Sequence, residues 1–484
     1  MSNIFLSLNK SYIDGQFVEG DSGKTFESLN PFDDSVLAEI PLASLEQTKY
    51  AFSVANNSEW KDNPKKRKKV LKNLIKLFIQ HRKNIVDVLI KESGSTFVKA
   101  NAEYVATMNI IKEALKLVDQ VGHVDNRKSL IPGKKNLIYR SPKGIVSSVA
   151  PFNFPLHLSM RTIAPALALG NAVVHKPDVQ TGIVSGSIPA VLLREAGVPS
   201  NVFQMILTKS SIVGDEFFVN DNINAISFTG STAVGKHIRE VTNDRFISMA
   251  LELGGNSPFI VMDDANLDHA VRALIPGKYM HSGQICMSVN RIIVHEAVYD
   301  EFIEKFKVAA EHLKITNEDN KLGIIGPIIN KDQLEKTKKF IEMAKESGEM
   351  VLEGEVTGNF VTPFIFKDIK NDSEIAQTEL FSPIGLVIKA NSNDEAIKLA
   401  NDTDYGLTAA VFTRDVETGQ KYAEQIESGM VHVNEQPVLD FPNIPFGGVK
   451  NSGMGRYGNP YVLEDFTDIK WMSTQRGPLP YPFS

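Results

Sequence analysis

The stretch "NAISFTGSTAVGKHIREVTN", residues 224–243, reads as a strand, NAISFTG, that runs straight into a helix, STAVGKHIREVTN. Gly230 and Gly235 frame Ser231 and Thr232 where the helix begins. Backbone N–H groups and small hydroxyls at a helix N-terminus favour an anion such as a phosphate. The same residues would serve equally well as an ordinary N-cap turn. Outward from this stretch the texture repeats. "GIVSSVAP" (144–151) is a strand, "SMRTIAPALALG" (159–170) a helix closed by Gly170, and "NAVVHKP" (171–177) a strand. "IPAVLLREAG" (188–197) is a helix and "VFQMIL" (202–207) a strand. This alternation predicts a parallel sheet covered on both faces, a doubly wound α/β fold. The usual dinucleotide signature, a G-x-G-x-x-G fingerprint, is read as absent from the chain.

Residues 50–120 read mostly as helices, and a second αβ series runs from about 257 to 440. It includes "PFIVMDD" (258–264), "VYDEFIEKFKVAAEHL" (298–313), "DQLEKTKKFIEMAKESG" (332–348), "GLVIKA" (385–390) and "AAVFTR" (409–414). Two pieces look detached: the hairpin-like "KNLIYRSPKGIV" (135–146) and the C-terminal "DFTDIKWMSTQRGPLPYPFS" (465–484). Short strands before a Pro-rich tail suit an arm that pairs with another subunit.

At 484 residues the chain has room for two or three domains. Its net charge of −6, from 52 basic and 58 acidic residues, recommends neither nucleic acid nor an anionic membrane as partner. No apolar run reaches the roughly 18 residues of a membrane span, and the start lacks a secretory pattern. A cytoplasmic protein is expected. The basic helix "KKRKKVLKNLIKLFIQHRKNI" (65–85) spaces Leu71, Leu74, Ile75 and Phe78 to pack on a core. "HEAVY" (295–299) has Tyr299 where a zinc helix needs its second His, and the ten histidines show no ligand clustering, so no metal is expected.

One cysteine, Cys286, stands in "SGQICMSVNR" (282–291). A lone thiol is usually a small buried hydrophobe and counts as a nucleophile only with partners. Candidates occur in order along the chain. Glu252, in "LELGGNSP" (251–258), ends an apolar run, where desolvation raises a carboxyl toward the range of a general base. Gly254 and Gly255 behind it permit close backbone approach to a ligand. Asn153, in "PFNFPL" (151–156), is flanked by aromatic and proline residues that would fix its amide as an oxyanion donor. A turn Asn and a strand-end Glu would look the same.

"PFNFPL", "HKP" (175–177), "FTGSTAVG" (228–235), "LELGGNSP", "GQICMSVNR", "ELFSPIG" (379–385), "NDTDYGL" (401–407) and "PFGGVKNSGMGR" (445–456) occur in the order and spacing of the NAD(P)-dependent aldehyde dehydrogenase superfamily. The chain resembles that superfamily over roughly residues 10–475, with the texture of bacterial benzaldehyde, vanillin and salicylaldehyde dehydrogenases. The resemblance implies a Rossmann-type cofactor domain (1–122 and 144–252), an αβ catalytic domain (253–440) and a small β oligomerisation arm (123–143 and 457–484). It implies Cys286 as nucleophile, Asn153 with the Cys286 N–H as oxyanion donors, and Glu252 as base for thioester hydrolysis. Lys176, Gly230, Ser231, Gly235, Leu253, Glu379 and Phe381 would hold NAD or NADP. Members are homodimers or homotetramers that act on a small-molecule aldehyde.

Three positions depart from the commonest pattern. Val179 stands where many NAD-preferring members carry Glu, which opens the way to NADP beside NAD. Phe152 replaces a frequent Trp, a conservative change. Arg161 stands where relatives place a bulky apolar residue near the substrate tunnel, and it would favour a polar ring substituent or pair with a carboxylate elsewhere. With Leu158, Ile285, Met287 and Leu439 as apolar neighbours, an aromatic aldehyde is the favoured substrate. Alternatives are an aliphatic aldehyde, a semialdehyde or betaine aldehyde, with CoA in place of water if Glu252 does not act. A non-catalytic protein of the same fold, or a thiol esterase, is the reading from outside the class.

Overall fold

The computed structural model describes residues 5–122, 124–316, 322–479 and 481. Two large sheets dominate it. The first has eight strands, in the order Gln16–Val18, Ser11–Ile13, Phe203–Met205, Ala172–Lys176, Ile145–Val149, Ala225–Thr229, Ser248–Glu252 and Gly453–Met454. Its five central strands are parallel, and the outer ones antiparallel. Numbered by chain position, the parallel strands lie in the order 3-2-1-4-5. The order reverses between Ile145–Val149 and Ala225–Thr229, the place where doubly wound sheets open a ligand crevice.

The helices that cover this sheet follow from local sequence. Pro155 starts the helix Pro155–Ala168, all of which is buried. Ser231 caps Thr232–Val241 through a bond from the Val234 N–H, so the N-cap reading of that turn holds. Pro64–Ser93 buries Leu71, Leu74 and Phe78 and stops at Gly94 in the left-handed region (φ 65°). No helix among the described residues is long and apolar enough to cross a membrane.

The second sheet has seven strands, in the order Glu349–Leu352, Phe364–Lys367, Ile384–Ala390, Arg291–His295, Pro258–Val261, Thr408–Phe412 and Met430–Val433. All but the first run parallel. The third unit is a three-stranded antiparallel sheet of Thr467–Gln475, Lys134–Pro142 and Val124–Arg127. Residues 123, 480 and 482–484 of the expected arm lie outside the described residues.

Two sequence readings need correction. "KNLIYRSPKGIV" is not a hairpin. Lys134–Pro142 belongs to the small sheet and Ile145–Val149 to the first large one. Gly144 (φ 134°) separates them, because Asn224 Oδ1 sits where a Cβ would go and accepts from the Ile145 N–H at 2.8 Å. The start of the proposed arm segment, at 457, also falls too early. Tyr457, Val462, Leu463 and Phe466 are buried in the core of the first unit.

One G-x-G-x-x-G run does exist, "GMGRYG" (453–458), and it opens no cofactor helix. Gly453–Met454 is the antiparallel edge strand beside Ser248–Glu252, and a Cβ on Gly453 would lie 2.1 Å from the Leu251 carbonyl oxygen. These glycines allow a tight chain return.

Candidate active site

The crevice at the reversal point is built by the residues just beyond the strand ends. Ile145–Val149 leads into Pro151, Phe152 and Asn153, and Ala225–Thr229 leads into Gly230 and Ser231. These residues line a cleft of about 370 Å³ together with Leu253, Cys286, Glu379 and Phe381. Phe152 meets Phe381 edge-on, with ring centroids 6.0 Å apart.

Cys286 reaches the cleft from the second unit. The helix Leu267–Tyr279 ends in a turn in which His281 (φ 52°), Ser282 (φ 55°) and Gly283 (φ 73°) are all left-handed. Non-glycine residues pay an energetic penalty in that region, so surrounding bonds must hold them there. Ser282 Oγ donates to the Gly326 carbonyl at 2.6 Å. Gln284 Nε2 donates to the His281 and Pro327 carbonyls at 3.0 and 3.2 Å, and Gln284 Oε1 accepts from the Ile329 N–H at 3.0 Å. Burial, with Glu379 adding to it, pushes the Cys286 thiol up to about 12, while Arg161 opposes the rise. The resting group is therefore a thiol, which has to lose its proton before it can attack.

Asn153 is buried, and its Nδ2 donates to the Gln284 carbonyl at 3.1 Å. That bond uses one of two amide N–H groups and ties the side chain to the Cys286 loop. Glu252 ends the strand Ser248–Glu252, and neither of its buried oxygens has a hydrogen-bond partner among the described residues. Burial raises its carboxyl to about 8; Asp440 and Asp465 add to this, and Arg161 and Arg456 oppose it.

The expected cofactor residues divide into three groups. Gly230, Ser231, Leu253, Glu379 and Phe381 line the cleft. Lys176 lines a neighbouring cavity with Asp178, Val179, Lys209 and Lys331. Burial lowers the Lys176 ammonium, and Asp178 opposes that shift. Gly235 stands behind the wall, where a Cβ would come within 2.5 Å of the Leu253 side chain. Its lack of a side chain serves helix packing. The paired glycines also act internally. A Cβ on Gly254 would lie 2.5 Å from Glu379 Oε2, and one on Gly255 would lie 2.5 Å from the Cys286 carbonyl oxygen. The Gly255 N–H donates to Glu379 Oε1 at 3.1 Å, while burial raises the Glu379 carboxyl to about 7. Among the described residues no group of His, Cys, Asp or Glu gathers as a metal site.

Of the expected pocket residues, Leu158, Ile285 and Met287 are buried and Leu439 is half-buried. Arg161 is buried and committed. It donates to Asp440 Oδ2 at 3.1 Å, and its guanidinium lies 4.3 Å from the Phe446 ring centre and 4.6 Å from that of Tyr457. His157 Nε2 donates to the same Asp440 oxygen at 2.8 Å. Burial works to raise Asp440, but His157 and Arg161 hold it below the usual carboxylate range. Sequence reading missed His157 and Asp440. Their one visible trace is the i,i+4 spacing of His157 and Arg161, which points both side chains along one helix face toward a shared partner.

The sequence pattern that describes the Aldehyde dehydrogenase family matches residues 17–472. AldY of Bacillus subtilis is 49% identical over 483 residues, covering 99% of this chain and 100% of that one. A vanillin dehydrogenase of Corynebacterium glutamicum is 43% identical, with 97% of this chain and 98% of that protein covered. The crystal structure of an NAD-dependent benzaldehyde dehydrogenase from Corynebacterium glutamicum superposes with a TM-score of 0.88 at 40% identity, covering 99% of both chains.

Proposed function

Because this chain belongs to the aldehyde dehydrogenase family, we propose that it oxidises an aromatic aldehyde to the carboxylic acid through a covalent adduct on Cys286, with NAD or NADP as hydride acceptor. The observation that carries the reading is the convergence of Cys286 and Asn153 on one cleft, with the unpartnered Glu252 carboxyl close enough to bias the thiol. The cleft suits a dinucleotide. It lies at the sheet's reversal point, it has the start of a ten-residue helix at Ser231, and a second cavity bearing Lys176 adjoins it.

Cys286 Sγ, once deprotonated, bonds to the aldehyde carbon, and the carbonyl electron pair moves onto oxygen. The free Asn153 amide N–H and the Cys286 backbone N–H hold that oxyanion. Gly230, Ser231, Leu253, Glu379 and Phe381 would hold a nicotinamide dinucleotide in the cleft, which when bound would supply the acceptor for the hydride leaving the adduct carbon. The carbonyl then re-forms as a thioester on Cys286. Glu252 then removes a proton from water, the water oxygen bonds to the acyl carbon, and the C–S bond breaks.

Two lines support an aromatic substrate. The named relatives include vanillin and benzaldehyde dehydrogenases. The Arg161 charge is already engaged by Asp440, which leaves it poorly placed to seat the carboxylate tail of a semialdehyde. We further infer assembly into dimers or tetramers through the small sheet. Its edge strand Thr467–Gln475 exposes Ile469 and Trp471, apolar side chains that an edge otherwise avoids.

The test is reduced-nicotinamide absorbance against benzaldehyde, vanillin, salicylaldehyde, hexanal, succinic semialdehyde and betaine aldehyde, with NAD and NADP in parallel. Aromatic aldehydes leading by about tenfold in kcat/KM, equivalent to about 1.4 kcal/mol, supports the substrate reading. A semialdehyde or aliphatic aldehyde in the lead overturns it.

A further inference from the structure

Behind the cleft lies an ion pair that takes no part in the chemistry above. Lys99 and Glu103, one turn apart on the helix Phe97–Leu117, are both fully buried, with Lys99 Nζ 2.6 Å from Glu103 Oε2. Lys99 Nζ also donates to the backbone carbonyl of Asn153 at 2.7 Å and lies 4.2 Å from the centre of the Phe154 ring. The other Glu103 oxygen accepts from the Leu156 N–H at 2.9 Å and the His157 N–H at 3.2 Å, the first free donors of the helix Pro155–Ala168.

A buried ion pair is a poor source of stability, since well-packed apolar residues of similar volume commonly serve as well or better. What this pair does that an apolar pair could not is grip the turn 153–157 from both sides. The lysine holds the carbonyl that precedes the helix, and the glutamate holds the N–H groups that start it. The Asn153 side chain is fixed at its far end by the Gln284 carbonyl, two residues before Cys286. With both ends pinned, the Asn153 amide has little freedom to swing away from the thiol.

We propose that Lys99 and Glu103 are positioning residues, which set the Asn153 amide at the distance and angle that an oxyanion on the Cys286 adduct requires. This rests on the reading of Asn153 as an oxyanion donor. Neither residue touches substrate; both act through the Asn153 backbone. Such placement has large effects, because a donor displaced by about an ångström loses much of its value to the transition state.

The experiment is a double-mutant cycle on the full-length enzyme, with rates normalised to the single alkylatable thiol. Lys99→Met is measured alone and in the Asn153→Ala background. A neutral pair, Lys99→Met with Glu103→Gln, guards against a folding defect, since Gln keeps a carbonyl oxygen for Leu156 and His157. Asn153→Ala is expected to lower kcat by about 10²–10³-fold. Lys99→Met and the neutral pair should each lower kcat at least about tenfold with KM nearly unchanged, yet by less than about twofold further once Asn153 is Ala. Equal losses in both backgrounds, or a kcat unaffected by Lys99→Met while Asn153→Ala is slow, overturn the positioning role alone. If Asn153→Ala itself leaves kcat unchanged, the oxyanion reading fails and the proposal falls with it.

Discussion

Gly447 lies against Glu252: a Cβ on the glycine would sit 2.9 Å from Glu252 Oε1 and 2.9 Å from the Gly455 carbonyl oxygen. The backbone there has φ 155°, so a side chain would be strained as well as crowded. Gly447→Ala should displace the carboxyl from its water position and slow thioester hydrolysis about tenfold or more. Rapid-mixing absorbance should then show a burst of reduced cofactor followed by a slow phase. Steady turnover at the parent rate would separate Gly447 from the base.

The pH dependence has a defined sign. With its carboxyl raised to about 8, Glu252 is mostly protonated at pH 7 and cannot accept a proton from water. Hydrolysis-limited turnover should climb between pH 7 and 9 and level off above. Folding follows the opposite course. A carboxyl raised on folding favours the native state fully below its unfolded value, and that benefit is lost as pH rises through about 8. Glu252→Gln should therefore be inactive in hydrolysis but melt a few degrees higher than the parent at pH 9. Equal melting temperatures at pH 9 would contradict the burial of a raised carboxyl.

Asp440 accepts from both Arg161 and His157, and its charge also raises Glu252. Asp440→Asn leaves the Arg161 guanidinium buried without a carboxylate, a loss on the order of 3–5 kcal/mol. The same change removes a negative charge near Glu252, so the rising limb of the pH profile should move to lower pH. Denaturant melts and a pH series of kcat check the two effects separately.

Val179 shares its cavity with Lys176 and Lys209, two cations on the wall where a ribose phosphate would be received. Val179→Glu adds a carboxylate beside them. The ratio of kcat/KM for NADP to that for NAD should fall at least about tenfold, near 1.4 kcal/mol. An unchanged ratio would mean that this wall does not select the cofactor.

Cys286, Glu252 and Asn153 came forward through the eight motifs that resemble the family in order and spacing; residue type alone left a buried thiol, a strand-end Glu and a turn Asn equally open. The alternating strands and helices of 144–243 were legible because each apolar run is short and cleanly punctuated. Burial was not legible. Lys99 and Glu103 look like any solvated i,i+4 helix pair, and nothing local reveals that both are sealed inside. Arg161 was visible as an oddity, but its partner Asp440 lies 279 residues away. Glycines carried a second role that was not legible. Gly254 and Gly255 suggested room for a ligand; Gly254 does line the cleft, and both glycines also make room for neighbouring parts of the same chain.

The edge strand Gly453–Met454 has a consequence for how the molecule comes together during synthesis. The strand that carries Glu252 pairs on its outer side only with this segment, made about two hundred residues later. Until then its unpaired edge is open to stray strand addition while the whole second αβ series is being made. Pairing across so long a separation carries a loop-closure cost that slows it. The strand that bears Glu252, the proposed base, is thereby flanked on both sides only once Gly453 has been made, and a nascent chain stalled before it holds its lone thiol beside an incomplete sheet.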